Sequence, residues 1–172
     1  MQIFAETDRL ILREILPTDA QGMFELDSDP DVHRYLGNKP IETLEEAQQG
    51  IAFIRQQYLD YGIGRWAVIE KATSEFTGWA GLKFMTETRN RHTNFYDVGY
   101  RFIKRYWGKG YATEAAIASV NYGFDVLKLD ELFGMADVDN IGSNKALQKA
   151  GLKYVEDFEH AGIRHSWYHL NR

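Results

Sequence analysis

The stretch that most restricts what this chain can fold into is Phe95–Ala115, where hydrophobic residues spaced by two give way to a helical spacing across a turn carrying Gly108 and Gly110. Phe95-Tyr-Asp-Val-Gly-Tyr-Arg-Phe-Ile103 reads as a strand, and it runs without a break into Arg105-Tyr-Trp-Gly-Lys-Gly-Tyr-Ala-Thr-Glu-Ala115. Helices ordinarily begin at Ser, Thr, Asp or Asn, whose side chains occupy the free amides of the first turn. Here the entry is Gly108-Lys109-Gly110, with no side-chain acceptor, a backbone free to curl, and a cation where an acid would suit the helix dipole better. Exposed amides at the positive end of a helix suit a phosphate or pyrophosphate. Arg101, Lys104 and Arg105 add positive charge nearby. Two anion motifs are absent: the P-loop pattern does not occur, and Thr113 stands where a dinucleotide fingerprint needs its third glycine. A plain strand–helix turn, with two glycines for steric reasons, is the alternative at this point.

Around this segment the spacing predicts a first strand over Leu10–Leu16, then short helices over Pro17–Leu26 and Pro30–Leu36. Thr43-Leu-Glu-Glu46 is a capping-box pattern, and a helix should run from it to about Tyr61, where Gly62 and Gly64 stop it. Ala47, Ile51, Ile54 and Tyr58 form its buried stripe. Trp66–Glu70 and Phe76–Phe84 read as a hairpin. After the glycine turn come a helix over about Gly110–Val126, a strand over Glu131–Val138 and a short helix over Asn144–Lys149 ended by Gly151. Closing strands cover about Leu152–Glu159 and Arg164–Leu170. That order predicts a mixed-sheet α+β domain spanning residues 1–172, with a right-handed crossover around the Gly110–Val126 helix.

Composition narrows the classes of function. With no cysteine, disulfide scaffolds, thiolate zinc sites, iron–sulfur clusters and cysteine nucleophiles are excluded. A net charge of −5 is the wrong sign for a nucleic-acid partner. No basic region followed by an apolar stretch opens the chain, and the uncharged run Ala115–Phe124 is far too short to cross a membrane, so a cytoplasmic protein with no membrane partner is expected.

The pattern Arg105–Gly108–Gly110 resembles the signature of the GNAT superfamily of acyl-CoA N-acyltransferases: Arg or Gln, two residues, Gly, one residue, Gly or Ala. The wider string Tyr106–Ala115, the opening Thr7-Asp-Arg-Leu-Ile-Leu-Arg13, and Asp137-Val-Asp-Asn-Ile-Gly-Ser143 followed by Lys149-Ala-Gly-Leu152 are similar to its RimJ/RimL branch, which acetylates ribosomal-protein N-termini. The similarity extends over about Thr7–Tyr168, three pieces in the right order and spacing. It implies a mostly antiparallel twisted sheet flanked by helices on both faces, with a splayed parallel strand pair forming the acyl-CoA cleft.

The same resemblance implies acetyl-CoA as cosubstrate and no metal. The amides of Gly108, Lys109, Gly110, Tyr111 and Ala112 would cradle the pyrophosphate, Arg105 would frame the loop, and Lys109 or Lys104 would meet a phosphate. The strand edge at Phe102 and Ile103 would pair with the pantetheine arm, and Asn140 would bond a pantetheine amide; by itself an Asn at a strand end is only a turn residue. The acceptor would be a primary amine on a protein N-terminus or a small molecule, a non-catalytic acyl-CoA-binding module being the alternative, and the chain a monomer or homodimer. Amine attack on a thioester needs a base, and Asp97 matches the acidic position on this strand, with Glu70 the second candidate and an ion pair with arginine the alternative role for Asp97. Backbone amides of a bulged strand around Tyr100–Phe102 would face the oxyanion. Many members place a tyrosine acid in the helix after the asparagine; Leu147 stands there, so Ser143 takes the thiol-side role, with helix capping as its alternative. His165 and His169 lack the context of a metal pair. Trp66, Trp79 and Tyr100 line either a pocket or the core, and Arg89–His92 falls in a loop.

Overall fold

A computed structural model describes residues 1–172. Eight strands, β1 (Ile3–Glu6), β2 (Leu10–Glu14), β3 (Trp66–Glu70), β4 (Phe76–Met85), β5 (Phe95–Phe102), β6 (Glu131–Asp137), β7 (Lys153–His160) and β8 (Ile163–Asn171), form one sheet in the order β1-β2-β3-β4-β5-β6-β8-β7. Every neighbouring pair is antiparallel except β5–β6, which is parallel and touches at the single position Asp97↔Phe133. Beyond that position the two strands part, while β6 stays fully paired to β8 from Glu131↔Asn171 to Asp137↔His165. The fold is thus the mixed α+β architecture expected, with the opening between β5 and β6.

Five helices cover the two faces: α1 (Ala20–Asp27), α2 (Pro30–His33) and α3 (Leu44–Tyr61) on one, α4 (Tyr111–Asn121) and α5 (Ile141–Lys149) on the other. α3 begins at the capping box, with Thr43 Oγ1 accepting from the Glu46 amide and Glu46 reaching back to the Thr43 amide, and ends at Gly62 in a left-handed conformation. Its Tyr58 hydroxyl donates to the Arg65 carbonyl (2.5 Å) and accepts from the Ile15 amide (3.0 Å), tying helix to sheet. On the other face Leu10, Leu12, Trp66, Val68, Ala80 and Leu82 form a fully buried floor for α4.

Four local features differ from the sequence expectation. β1 is an added edge strand, held because Phe4 stacks on Trp66 with ring centroids 5.1 Å apart. A 3-10 turn at Lys104–Tyr106 intervenes between β5 and the glycines. α4 stops at Asn121 and continues as a π turn over Tyr122–Val126, where Gly123 lets the chain approach Leu82 and Leu132. α5 starts at Ile141, three residues early, because Asn140 caps it.

Candidate active site

The head of α4 is uncapped. Its N-cap residue Gly110 lies at φ 81°, a left-handed conformation costly for any residue with a Cβ, and no side chain accepts from the first turn. The first hydrogen bond of the helix runs from the Glu114 amide to the Gly110 carbonyl (3.1 Å). Every amide from Gly108 to Thr113 therefore lacks an intramolecular acceptor. Six consecutive free N–H groups at a helix N-terminus are a cradle for an anion, and the residues present fit a pyrophosphate there.

The cradle is held from behind. Glu114 takes the Thr7 hydroxyl (2.6 Å), the Arg9 amide (3.1 Å) and Arg9 Nε (2.8 Å), while Arg9 Nη1 donates to the Lys109 carbonyl (2.8 Å). Burial by itself would push the Glu114 carboxyl up, but the hydrogen bonds from Thr7 and Arg9 outweigh it and hold it below its ordinary value. The opening Thr7–Arg9 motif and Glu114, 105 to 107 residues apart in sequence, are thus one clamp on the loop. Glu70 belongs to this structure as well. It accepts from the Tyr111 hydroxyl and from Thr73 (2.7 Å) and lies 3.9 Å from Lys109 Nζ, so both its oxygens are engaged at the loop, two strands away from the opening. These bonds, Tyr111's first, hold its carboxyl below the ordinary value, and they place it at the loop rather than at the opening. The nearby cations are also matched: Arg101 with Asp27 (2.7 Å), Lys104 with Asp31 (2.5 Å), and Arg105 with Glu25 and, at 3.9 Å, Glu75. Arg105 anchors the start of the loop to α1.

At the opening, the Ile103 amide donates to Thr77 on β4 (2.9 Å), so alternation turns the main-chain groups of Val98, Tyr100 and Phe102 toward β6. The Phe102 carbonyl is taken by Trp107 Nε1 (2.8 Å). The free edge is thus the Val98 carbonyl, both main-chain groups of Tyr100 and the Phe102 amide, rather than Phe102–Ile103. β5 is also unbulged: its register with β4 is continuous from Gly78↔Phe102 to Met85↔Phe95, which corrects the bulge expected at Tyr100–Phe102.

Asp97 stands at the vertex where β5 and β6 part, on the α1–α3 face. Its Oδ2 accepts from Arg65 Nη2 (2.5 Å), and Arg65 Nη1 donates to the carbonyls of Gly81 (2.6 Å) and Asp97 (2.8 Å). Gly99 makes room for this guanidinium, since a Cβ there would lie 2.7 Å from Nη2. Asp97 Oδ1 is buried with no partner in the protein, an arrangement that costs about 1–3 kcal/mol unless a donor arrives. Burial pushes the Asp97 carboxyl up, and Arg65 opposes the shift. One oxygen of Asp97 is therefore in the arginine ion pair considered for it, and the other is buried without a partner.

On the opposite face, α5 meets the opening. Asn140 Oδ1 accepts from the Ser143 amide (3.2 Å), so Asn140 is the helix cap and Ser143 is not. Ser143 Oγ donates to the Tyr100 hydroxyl (3.3 Å), which donates to the Ser143 carbonyl (2.6 Å). Burial pushes the Tyr100 hydroxyl up, keeping it protonated. Leu147 is fully buried. Two hydroxyls therefore meet at this side of the opening, Ser143 from α5 and Tyr100 from β5. Arg65 and Tyr100 were the residues least readable as site members; the alternation that places Tyr100 opposite Asp97's face was the available signal for one, and the glycine at 99 for the other. His165 and His169 take separate partners, the Ile163 carbonyl (3.0 Å) and Glu131 (2.8 Å).

An anion cradle beside a parting parallel strand pair defines a coenzyme A-type acyl-transfer site, and comparison with known proteins specifies the class. Residues 9–153 match the acetyltransferase (GNAT) domain family. The uncharacterized N-acetyltransferase YoaA of Bacillus subtilis is 33% identical over 148 residues, covering 86% of this chain and 81% of that protein. Spermidine N(1)-acetyltransferase of Escherichia coli is 26% identical over 87% of this chain and 75% of its own. The solved structure of RimL, a ribosomal alpha-N-protein acetyltransferase in complex with coenzyme A, superposes with a TM-score of 0.82 at 14% identity, covering 99% of this chain and 98% of that one. The chain belongs to the GNAT acetyltransferase family. It is an acetyl-CoA-dependent N-acetyltransferase.

Proposed function

We propose that this chain is a cytoplasmic enzyme, a single domain that moves the acetyl group of acetyl-CoA directly onto a primary amine, with a protein N-terminal α-amine as acceptor. The observation that carries this reading is the run of six free amides from Gly108 to Thr113 leading to the opening whose vertex holds Asp97. In this reading the amides hold the pyrophosphate, and Lys109, lying over the rings of Tyr106 and Tyr111, adds charge behind them. The edge Val98–Phe102 and the side-chain Nδ2 of Asn140 align the pantetheine arm. Bound there, acetyl-CoA supplies an activated thioester. Asp97 Oδ1 accepts the proton of the incoming amine, and its raised pKa makes it a stronger base than an exposed aspartate. The Ser143 hydroxyl, held to Tyr100 only by a long bond (3.3 Å), supplies the O–H on the other face for the departing sulfur, in place of the tyrosine missing at Leu147.

A small-molecule amine is the second reading, and the spermidine relative favours it. The experiment is release of free thiol from acetyl-CoA in the presence of N-terminal peptides, polyamines and amino acids, with the acetylated product identified by mass. Acetylation of a primary amine is expected; a chain that binds acetyl-CoA and acetylates none of them would overturn the reading.

A further inference from the structure

The α1–α3 face around Asp97 carries four cations, Arg65, Lys83, Arg89 and Arg101, in a chain whose net charge is −5. Three have carboxylate partners: Arg65 with Asp97 (2.5 Å), Arg89 with Glu87 (2.9 Å) and Arg101 with Asp27 (2.7 Å), the last shared with His33 (3.1 Å). Lys83 has none. It lies directly opposite Asp97 across the β4–β5 ladder, half-buried, with Nζ 5.5 Å from the ring of Phe53 on α3. The partner of Asp97 is already Arg65, so Lys83 is a surplus positive charge beside the reacting position. A second donor on this face is also unmatched: Arg101 Nε is buried without an acceptor, and its guanidinium and that of Arg65 flank the indole of Trp79 at 4.9 and 5.2 Å.

We propose that Lys83 forms a carboxylate-binding subsite beside Asp97, and that the acceptor is a primary amine carrying a carboxylate within about one amino-acid residue of its nitrogen. The inference rests on Asp97 receiving the amine. Directly opposed residues on neighbouring strands have Cβ atoms roughly 5 Å apart, so an amine on Asp97 and a carboxylate on Lys83 belong to one residue-sized group. A polyamine would bring additional cations to a position where Lys83 is already a positive charge without a carboxylate partner. The matching chemistry occurs in two sources, a free amino acid and an acidic first residue of a polypeptide.

The test is a comparison of kcat/KM for glutamate, Glu-Ala-Ala-amide, Ala-Ala-Ala-amide and spermidine, in the wild type, Lys83→Arg and Lys83→Glu. The wild type should favour an acidic acceptor over Ala-Ala-Ala-amide by about tenfold to hundredfold, chiefly through KM. Preference for glutamate assigns the free amino acid, and preference for Glu-Ala-Ala-amide assigns the polypeptide. Lys83→Arg should keep the preference, and Lys83→Glu should invert it toward spermidine; because the ratio is measured within one protein, a loss of folded enzyme does not imitate it. Spermidine as the best wild-type acceptor, or an unchanged ratio in Lys83→Glu, would overturn the subsite while leaving the acetyltransferase reading standing. Acetylation of no amine would overturn both.

Discussion

Replacing Asp97 with Asn separates its two roles, because the substitution keeps the shape and removes the charge. The ion pair it breaks is buried, with the two side chains 9–10% exposed and 2.5 Å apart. Removing one partner of a buried pair costs about 3–5 kcal/mol, since the other charge is left behind. Arg65 keeps its bonds to the carbonyls of Gly81 (2.6 Å) and residue 97 (2.8 Å), and the Asn oxygen still accepts, which places the loss at about 3 kcal/mol, the low end of that range. A domain with about 5 kcal/mol to begin with retains about 2, and roughly 97% of it stays folded. Loss of stability therefore explains almost none of a change in turnover. Loss of a general base should lower kcat about 10²–10⁴-fold. Thiol release followed across pH, with the folded fraction measured by circular dichroism, checks both numbers. The wild type should lose kcat/KM as pH falls through the Asp97 pKa, which burial sets above the ordinary 3.8, and the mutant should lack that limb. A mutant with kcat within twofold of the wild type at every pH would remove Asp97 from the chemistry.

Gly110→Asp places a carboxylate and a Cβ at a φ of 81° in front of the free amides; acetyl-CoA affinity by calorimetry should fall at least tenfold, with some destabilisation from the left-handed backbone. Glu114 gives a pH signature in stability. Its folded pKa is depressed, so its contribution is complete above about pH 4.5 and is lost as pH falls through the lower folded value. Thermal melts of Glu114→Gln should show about 1–2 kcal/mol less stability at neutral pH and a shallower decline in acid; an identical acid slope would mean that the Thr7–Arg9–Glu114 clamp contributes nothing.

What could be read from the sequence was whatever local chemistry dictates. The capping box at Thr43–Glu46, the glycine stop at Gly62 and the uncapped entry at Gly108–Gly110 all depend on neighbouring residues, and all three stand in the structure. The strand alternation that put Asp97, Gly99 and Arg101 on one face was equally local. The features that escaped involve distant partners. Nothing near Arg65 announces that its guanidinium will cross to Asp97, 32 residues on, through the gap left by Gly99. The Thr7–Arg9 motif was visible only as a resemblance, because its work is done on Glu114. Tyr100 read as core or pocket lining because the helix that meets its hydroxyl lies 43 residues away. β1 was missed for the same reason: its four residues are held by the ring of Trp66 rather than by their own pattern.

The central claim is that the free amides at the head of α4 grip the diphosphate of the cosubstrate. Amide proton spectra of ¹⁵N-labelled protein titrated with coenzyme A address it directly. Gly108 through Thr113 should move downfield together and their exchange with solvent should slow, to an extent that tracks saturation. Saturable binding that shifts other amides while these six keep their free positions and exchange rates would contradict the claim.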